Sequence, residues 1–416
     1  MVVRRRPARP ARGRTTWLLY AEFGCFAFLL NGLGAVLTSL QRDLQVSRAA
    51  VAFYPSLFAA GLLAVGLVGG ALVARVGRRA VRSTAVLLLA AGAGLLAVPV
   101  RPVTLVGATL LGAGGALLVQ LVPALLATLH PARPTVVVAE ANAAASTTSV
   151  LAPLGVGAAT GAGLDWRWGY LTLPLAGFAL VSWLSRDAAL PEARPTREPP
   201  GRYAAPGPER GQPDQGTVER SPVERGRAEP PPLPPGPLLG RWFDVLLAVS
   251  AEFCLVFWSA TWMADQHGAG PGLAPTLAAL FLVGMAAARA AAGPITGRIG
   301  RPPAVLAAGS AVGLAGFVLL WAGPEVAVAS AGLLLTGLGI ALLYPATVSR
   351  VVATWPHAPD RAAARGALAS GLAIGCAPAL LAGLADVAGL RIAFLVVPVL
   401  LVALGGRAAI ALVRPA

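Results

Sequence analysis

Two glutamates lie within long apolar stretches of this 416-residue chain. Glu22 and Glu252 share the local sequence Ala-Glu-Phe. A carboxylate surrounded by hydrocarbon is costly unless it is paired, hydrated or protonated, so it marks a functional site by default. Such a group can carry a proton or balance a cationic solute. We predict a coupling role for both glutamates; the alternative is that both simply reach water near the membrane surface.

One arginine is the predicted partner of Glu252. Arg289 lies about nine residues from the inner end of its predicted helix, and Glu252 lies about ten residues from the inner end of the preceding helix. At a rise of ~1.5 Å per residue, the two side chains are at similar depth in the membrane. The pair could open when substrate binds or act as a static brace. Both interpretations stay open at this stage.

Four further polar side chains are candidate substrate ligands. They are Asn31, Gln120, Ser259 and Tyr344. Helical phase places Ser259 on the face of Glu252, whereas Asn31 is about half a turn around from Glu22. The alternative role for such residues is helix-to-helix hydrogen bonding.

The elements that must position these residues follow from composition. Hydrophobic residues make up 56% of the chain and charged residues only 12%, which is too apolar for a water-soluble fold of this size. A transmembrane helix needs about 20 mostly apolar residues. Suitable runs are residues 17–38, 51–73, 83–100, 103–129, 136–163, 168–184, 242–264, 273–295, 304–322, 326–352, 363–387 and 392–413. We predict an all-α membrane protein with twelve transmembrane helices.

The chain has a net charge of +15, and all 33 of its Lys and Arg residues are arginines. With the N-terminus in the cytoplasm, 27 arginines fall on the cytoplasmic side, five in outer loops, and Arg289 within a helix. The positive-inside rule therefore predicts that both termini are cytoplasmic, and the charge requires no nucleic-acid partner. Abundant Ala, Gly, Arg and Pro indicate a high-GC bacterium, so we expect a multi-pass protein of its inner membrane.

A segment rich in Pro, Arg and Glu divides the chain. Residues 186–241 are too polar to bury a core and predict a disordered cytoplasmic linker. Around it we place a basic tail at 1–16, a six-helix bundle at 17–185 and a second six-helix bundle at 242–416.

Short matches in register relate the two bundles. They pair residues 21–23 with 251–253, 70–77 with 293–300, 112–118 with 337–343, 152–153 with 377–378, and 167–174 with 391–398. These matches predict a duplicated, pseudo-symmetric bundle, and parallel repeats of this kind hold a solute site between the halves near the bilayer midplane.

The loop at 70–79, Gly-Ala-Leu-Val-Ala-Arg-Val-Gly-Arg-Arg, resembles the loop between the second and third helices of the major facilitator superfamily, and 293–301 is a degenerate copy. The resemblance covers the chain apart from tail and linker, and implies alternating access between two six-helix bundles. Glycine permits a tight turn there, and arginine holds the loop at the cytoplasmic surface. The gating candidates are these loop residues and two charges near inner helix ends: Gly70, Arg75, Gly77, Arg78, Arg79, Gly293, Arg298, Gly300, Arg301, Glu140 and Arg365.

Several departures from the family pattern bear on mechanism. Ala74 and Gly297 stand where the family loop carries an aspartate that helps close the inner gate. Ala108 stands where an arginine usually marks proton coupling, and Ala152-Pro153 only loosely resembles the antiporter pattern. The last feature favours efflux, while the way the inner gate closes stays open.

The resulting hypothesis is a secondary transporter for a small solute. Proton-coupled efflux of a moderately apolar or cationic compound is the first choice, and uptake of a sugar or organic acid is the alternative. A receptor or a membrane-embedded enzyme is a remote alternative. The sequence shows no nucleotide-binding loop, metal-ligand cluster or nucleophile constellation, which disfavours a primary ATP-driven pump. We predict no catalytic residues, metal or cofactor. The expected partners are the solute, protons and bilayer lipid, with the chain acting as a monomer.

Overall fold

The computed structural model describes residues 12–131, 133–184, 235–354 and 359–413. Residues 1–11 of the predicted tail and 186–234 of the predicted linker lie outside the described residues. The first half comprises α1 Arg14–Leu44, α2 Arg48–Val51, α3 Phe53–Leu96, α4 Arg101–Leu129, α5 Pro134–Gly161 and α6 Trp166–Leu184. The second half comprises α7 Pro235–His267, α8 Leu273–Ala290, α9 Ala292–Ile299, α10 Pro302–Ala322, α11 Val326–Ile340, α12 Leu343–Ala353, α13 Pro359–Ala388, α14 Leu390–Ala393 and α15 Val396–Val413.

Ten segments of the described chain are long and apolar enough to cross a membrane. They confirm an all-helical, multi-pass membrane fold. Helix α3 contains parts of two such segments, Arg48–Val68 and Ala71–Leu96. The predicted total of twelve further requires α5 and α6 to cross; α5 is rich in Ser and Thr and carries Glu140, which lowers its hydropathy.

Side-chain contacts define the two ends of the bundle. At one end Arg12 contacts Glu140, and Arg241 contacts Thr354. We call this the termini face, since the described ends of the chain lie there. At the other end, which we call the hairpin face, short connections join successive helices, and Trp166 Nε1 donates to Asp43.

The loops that resemble the family motif share an unusual backbone geometry. Gly77 has φ 83° and interrupts α3, and Gly300 has φ 79° and ends α9. Residues that carry a side chain rarely adopt such a positive φ, so both turns require glycine. The two glycines were paired by the sequence repeat, and the structure gives them the same role.

Close glycine contacts repeat in both halves. A Cβ atom on Gly112 would lie 1.8 Å from the carbonyl oxygen of Phe58, and one on Gly337 would lie 2.0 Å from that of Phe281. Not even one methyl group fits, so the backbones of neighbouring helices touch in each half. The same packing confirms the predicted duplication. Gly66, in contrast, has open space around it.

The two halves meet through symmetry-related helix pairs. Helix α5 packs against α8, and its counterpart α13 packs against α3, while α1 packs against α7 near the pseudo-symmetry axis. Hydrogen bonds and ion pairs between the halves lie toward the hairpin face: Thr38 with Thr261, Arg48 with Asp265, the amide of Ala49 with Asp386, and Thr160 with the carbonyl of Pro271. The structure therefore represents a state that is closed at the hairpin face.

Candidate functional site

The predicted contact between Glu252 and Arg289 is present. Arg289 Nη2 lies 3.1 Å from Glu252 Oε1. The Glu252 side chain is 12% exposed and the Arg289 side chain 36% exposed. Glu252 lies near the middle of the span Leu239–His267. The pair is thus a single-contact ion pair between α7 and α8, with an open side on its arginine.

A break in the neighbouring span explains the position of Arg289. Helix α11 ends at Ile340 and α12 begins at Leu343, two residues before Pro345. Proline has no N–H, so the carbonyl of Ala341, four residues earlier, loses its helical donor. Arg289 Nε points at this carbonyl oxygen at 3.4 Å. The guanidinium therefore connects a broken helix to the carboxylate of Glu252.

Tyr344 lies next to this pair. It follows the break in α12, is 37% exposed, and lies close to Ser370 of α13. Its hydroxyl is within electrostatic range of both Glu252 and Arg289. Four helices of the second half therefore bring polar groups to one place, and this cluster is the candidate functional site.

Glu22, the repeat mate of Glu252, has a different environment. Arg82 Nε lies 2.9 Å from both carboxylate oxygens of Glu22, and Nη2 lies 2.7 Å from Oε1, an ion-pair distance without hydrogen-bond geometry. The side chains are 2% and 7% exposed, respectively. Sequence analysis counted Arg82 among cytoplasmic arginines, which is wrong because the helix continues for several residues before Ser83. A search for uncharged runs excludes such a residue by construction.

The other predicted substrate ligands do not join the cluster. Asn31 donates to Ser149 of α5 at 2.9 Å, and Gln120 Nε2 lies 3.4 Å from the carbonyl oxygen of Gly66. Ser259 is buried and donates to the carbonyl of Leu255 in its own helix. Asn31 and Ser259 thus have helix-packing contacts in this state, while Gln120 is exposed.

The predicted gating charges Glu140 and Arg365 lie in different settings. Glu140 accepts hydrogen bonds from Arg12 at 2.7 and 2.8 Å and from Tyr20 at 2.8 Å. The hydrogen bond to Glu140 raises the pKa of Arg12 above its ordinary value. Arg365 is exposed near the start of α13. The carboxylate therefore ties the beginning of α1 to α5.

The motif loops place most of their arginines at the surface of the termini face. Arg78 donates to Thr128 of α4 at 3.3 Å, while Arg75, Arg298 and Arg301 are exposed. Arg79 is also exposed and has an interaction partner. The gating role of these loop residues, with Gly70 and Gly293, stays a prediction.

A third buried acid was not among the residues predicted from the sequence. Asp244, at the start of the span in α7, contacts Arg350 of α12 and Arg407 of α15. Both arginines lie within runs that the sequence predicted as transmembrane, although they were counted as cytoplasmic. Their position within apolar runs was the available signal.

The sequence profile of the Major Facilitator Superfamily matches residues 22–261 and 242–416. The chain belongs to this superfamily, and it is accordingly a membrane transporter. Among curated proteins, no sequence matches this chain.

Solved structures with the same fold cover nearly all of the chain. A bacterial homologue of the human lysosomal transporter Spinster, in an inward-facing and occupied conformation, has a TM-score of 0.71 at 15% identity, covering 98% of this chain and 100% of that one. The human organic anion transporter MFSD10 (TETRAN) has a TM-score of 0.62 at 18% identity, covering 95% and 98%. An auto-inhibited peptide transporter of the POT family has a TM-score of 0.66 at 15% identity, covering 95% and 97%. At these identities the likeness shows the fold.

Proposed function

We propose that this protein exports a small, moderately apolar or cationic compound in exchange for protons, by alternating access across a bacterial inner membrane. The observation that carries the proposal is the Glu252–Arg289 pair. Its carboxylate lies within the membrane and has one charged contact, and that contact is to a side chain that is 36% exposed and tied to a helix break. An intramembrane carboxylate of this kind is suited to binding a proton or a cation.

Competition for Glu252 provides the exchange. When Glu252 is ionised it attracts Arg289 or a cationic substrate; when it binds a proton it loses that attraction. Proton and substrate therefore occupy the carboxylate in turn. When Glu252 binds a proton and releases Arg289, the arginine keeps its contact with the carbonyl of Ala341. Protonation therefore changes how α8 is linked to α7 and to the break between α11 and α12.

Orientation and direction rest on the arginine distribution. Under the positive-inside rule the termini face is cytoplasmic, so the present state, closed at the hairpin face, is closed to the periplasm, as loading of an exported compound requires. Periplasmic-reporter and cytoplasmic-reporter fusions after residue 215 test this. Activity of the periplasmic reporter at that position would contradict both the orientation and the twelve-helix arrangement.

The direct test is a compound panel in inverted membrane vesicles, with and without an imposed pH gradient. We expect gradient-dependent accumulation of at least one cationic or neutral compound by the natural protein and its loss in Glu252→Gln. Glu325→Gln is the matched control, because it makes the same chemical change at an exposed site on the hairpin face. If the natural protein accumulates the compound equally with and without the pH gradient, proton coupling is wrong.

One observation favours uptake of an organic acid as a second candidate. The half-exposed guanidinium of Arg289 can bind a substrate carboxylate in place of Glu252. In that case, right-side-out vesicles would accumulate anionic compounds with protons, and Arg289→Gln would abolish their binding. Cationic compounds would have no effect on that uptake.

A further inference from the structure

A compact basic pocket lies at the termini face, away from the candidate functional site. It is lined by Gly240, Arg241, Asp244, Arg350, Arg407, Ile410 and Ala411, and its volume is about 300 Å³. These residues come from the start of α7 and the ends of α12 and α15. The pocket therefore lies where three spans of the second half reach the membrane surface.

The charges of this pocket do not balance. Asp244 is buried and accepts from Arg350 Nη1 at 3.0 Å and from Arg407 Nε at 2.6 Å. Arg241 Nη1 donates to the carbonyl of Arg350 at 3.0 Å and to Thr354 at 2.7 Å, so it contributes a positive charge without a carboxylate among its described partners. Three guanidinium groups thus share one carboxylate, and the excess positive charge attracts an anion.

Many hydrogen-bond donors of these arginines are also unused by described residues. A guanidinium has five N–H donors. The contacts of Arg350 and Arg241 each employ one nitrogen, and Arg407 employs Nε and Nη2, the latter toward the carbonyl of Gly240 at 2.7 Å. Arginine forks bind phosphate oxygens well because they can donate two parallel hydrogen bonds.

The surroundings indicate where the anion comes from. Ile410 lines the pocket and is 57% exposed, and the nearby apolar side chains of Leu239, Phe243 and Val413 are exposed as well. Exposed apolar side chains on a membrane span face lipid tails. A phosphate held here would thus lie at headgroup level beside acyl chains, and basic pockets between membrane helices are known to bind anionic lipid headgroups.

We propose that this pocket, the Asp244 pocket, binds the headgroup phosphate of an anionic phospholipid such as phosphatidylglycerol. The bound lipid lowers the excess positive charge by one and links α7, α12 and α15 at their ends. The site is independent of the transport proposal, because it requires only that these spans lie in a membrane.

The test measures lipid retention by native mass spectrometry on the full chain, after equilibration with phosphatidylglycerol or with zwitterionic phosphatidylcholine. We expect selective retention of phosphatidylglycerol. Arg407→Gln leaves Asp244 paired with Arg350 and should lower the retained phosphatidylglycerol about fivefold, the value of one surface charge. Arg14→Gln removes an exposed charge on the same face, outside the pocket, and should leave retention unchanged.

Asp244→Asn gives an effect of opposite sign. It removes the competing carboxylate, so phosphatidylglycerol retention should rise, whereas general loss of folding would lower it. Equal retention in the natural protein and Arg407→Gln would overturn the site. Thermal stabilisation by inorganic phosphate that equals stabilisation by phosphatidylglycerol would also overturn the proposal, since the ligand would then be a soluble anion.

Discussion

The two intramembrane glutamates are equivalent by sequence repeat but differ in how they are held. Glu22 is enclosed with Arg82, and three short contacts join side chains that are almost fully buried. Glu252 has one contact of 3.1 Å to an arginine that is 36% exposed and shared with a broken helix. A buried, enclosed pair is suited to bracing a bundle, whereas an open pair can exchange partners.

The partners come from non-equivalent helices. Arg82 lies in the part of α3 that follows Gly77, while Arg289 lies in α8, the counterpart of the part that precedes it. The break at Pro345 also has no counterpart in α4, which is continuous through Arg101–Leu129. Duplication therefore supplied two acids at equivalent positions, and the arginines and the break gave them different surroundings.

The largest expected effect is on stability in the first half. Arg82→Gln leaves Glu22 buried without its charged partner, so we expect a loss of about 3 kcal/mol in the free energy of unfolding. Arg289→Gln should cost less, because Arg289 is 36% exposed, makes one contact with Glu252, and leaves a carboxylate that can bind a proton. Denaturation of both purified variants in detergent measures the difference. Equal losses would remove the distinction between the two pairs.

The next effect is on coupling. Glu252→Gln retains shape and hydrogen bonding but cannot carry the charge, so gradient-driven transport should fall about 100-fold, in the range seen for lost proton-transfer groups. Counterflow exchange without a gradient should continue. Vesicle assays normalised to folded protein measure both rates.

Glu22→Gln is the companion variant. It should reduce the amount of folded protein while the gradient dependence per folded molecule stays unchanged. If Glu22→Gln also uncouples transport, then Glu22 has the coupling role predicted from sequence and the bracing interpretation is wrong.

The variant Gly157→Val tests closure of the hairpin face. A Cβ atom on Gly157 would lie 2.1 Å from Thr276 Oγ1 in α8. Gly157→Val should therefore shift the population away from the present state, and spin-label distances between positions 45 and 266 should lengthen. Gly383→Val is the control, because Gly383 has open space around it. Unchanged distances in Gly157→Val would show that the α5–α8 contact does not limit closure.

The smallest expected effect concerns the helix break. Pro345→Ala restores an N–H that can bond the carbonyl of Ala341, so Arg289 loses that acceptor. We expect transport to slow a few-fold. Pro123→Ala, in the continuous helix α4, should have a smaller effect on the same assay. A larger effect of Pro123→Ala would separate the break from the transport cycle.

The positions of these features determine what the sequence could predict. Depth along a helix accumulates at a constant rise per residue, so the contact between Glu252 and Arg289 followed from counting. The short matches in register between the two halves likewise indicated the duplicated fold. Arg82 was missed because charged residues were used to end apolar runs. The contact of Arg289 with Ala341 depends on how two helices pack against each other. The spacing of residues along either helix does not predict that packing.

The close glycine contacts have a consequence for the size of the solute. Gly112 and Gly337 each hold one helix pair of their half at backbone contact, so under the proposed alternating access we expect each half to turn as a unit. With a rotation of about 15°, typical of rigid-body switching, and a lever of about 20 Å, half the bilayer thickness, each rim moves about 5 Å. Two rims open a mouth of about 10 Å, one helix diameter. A mouth of that width would admit metabolite-sized rings.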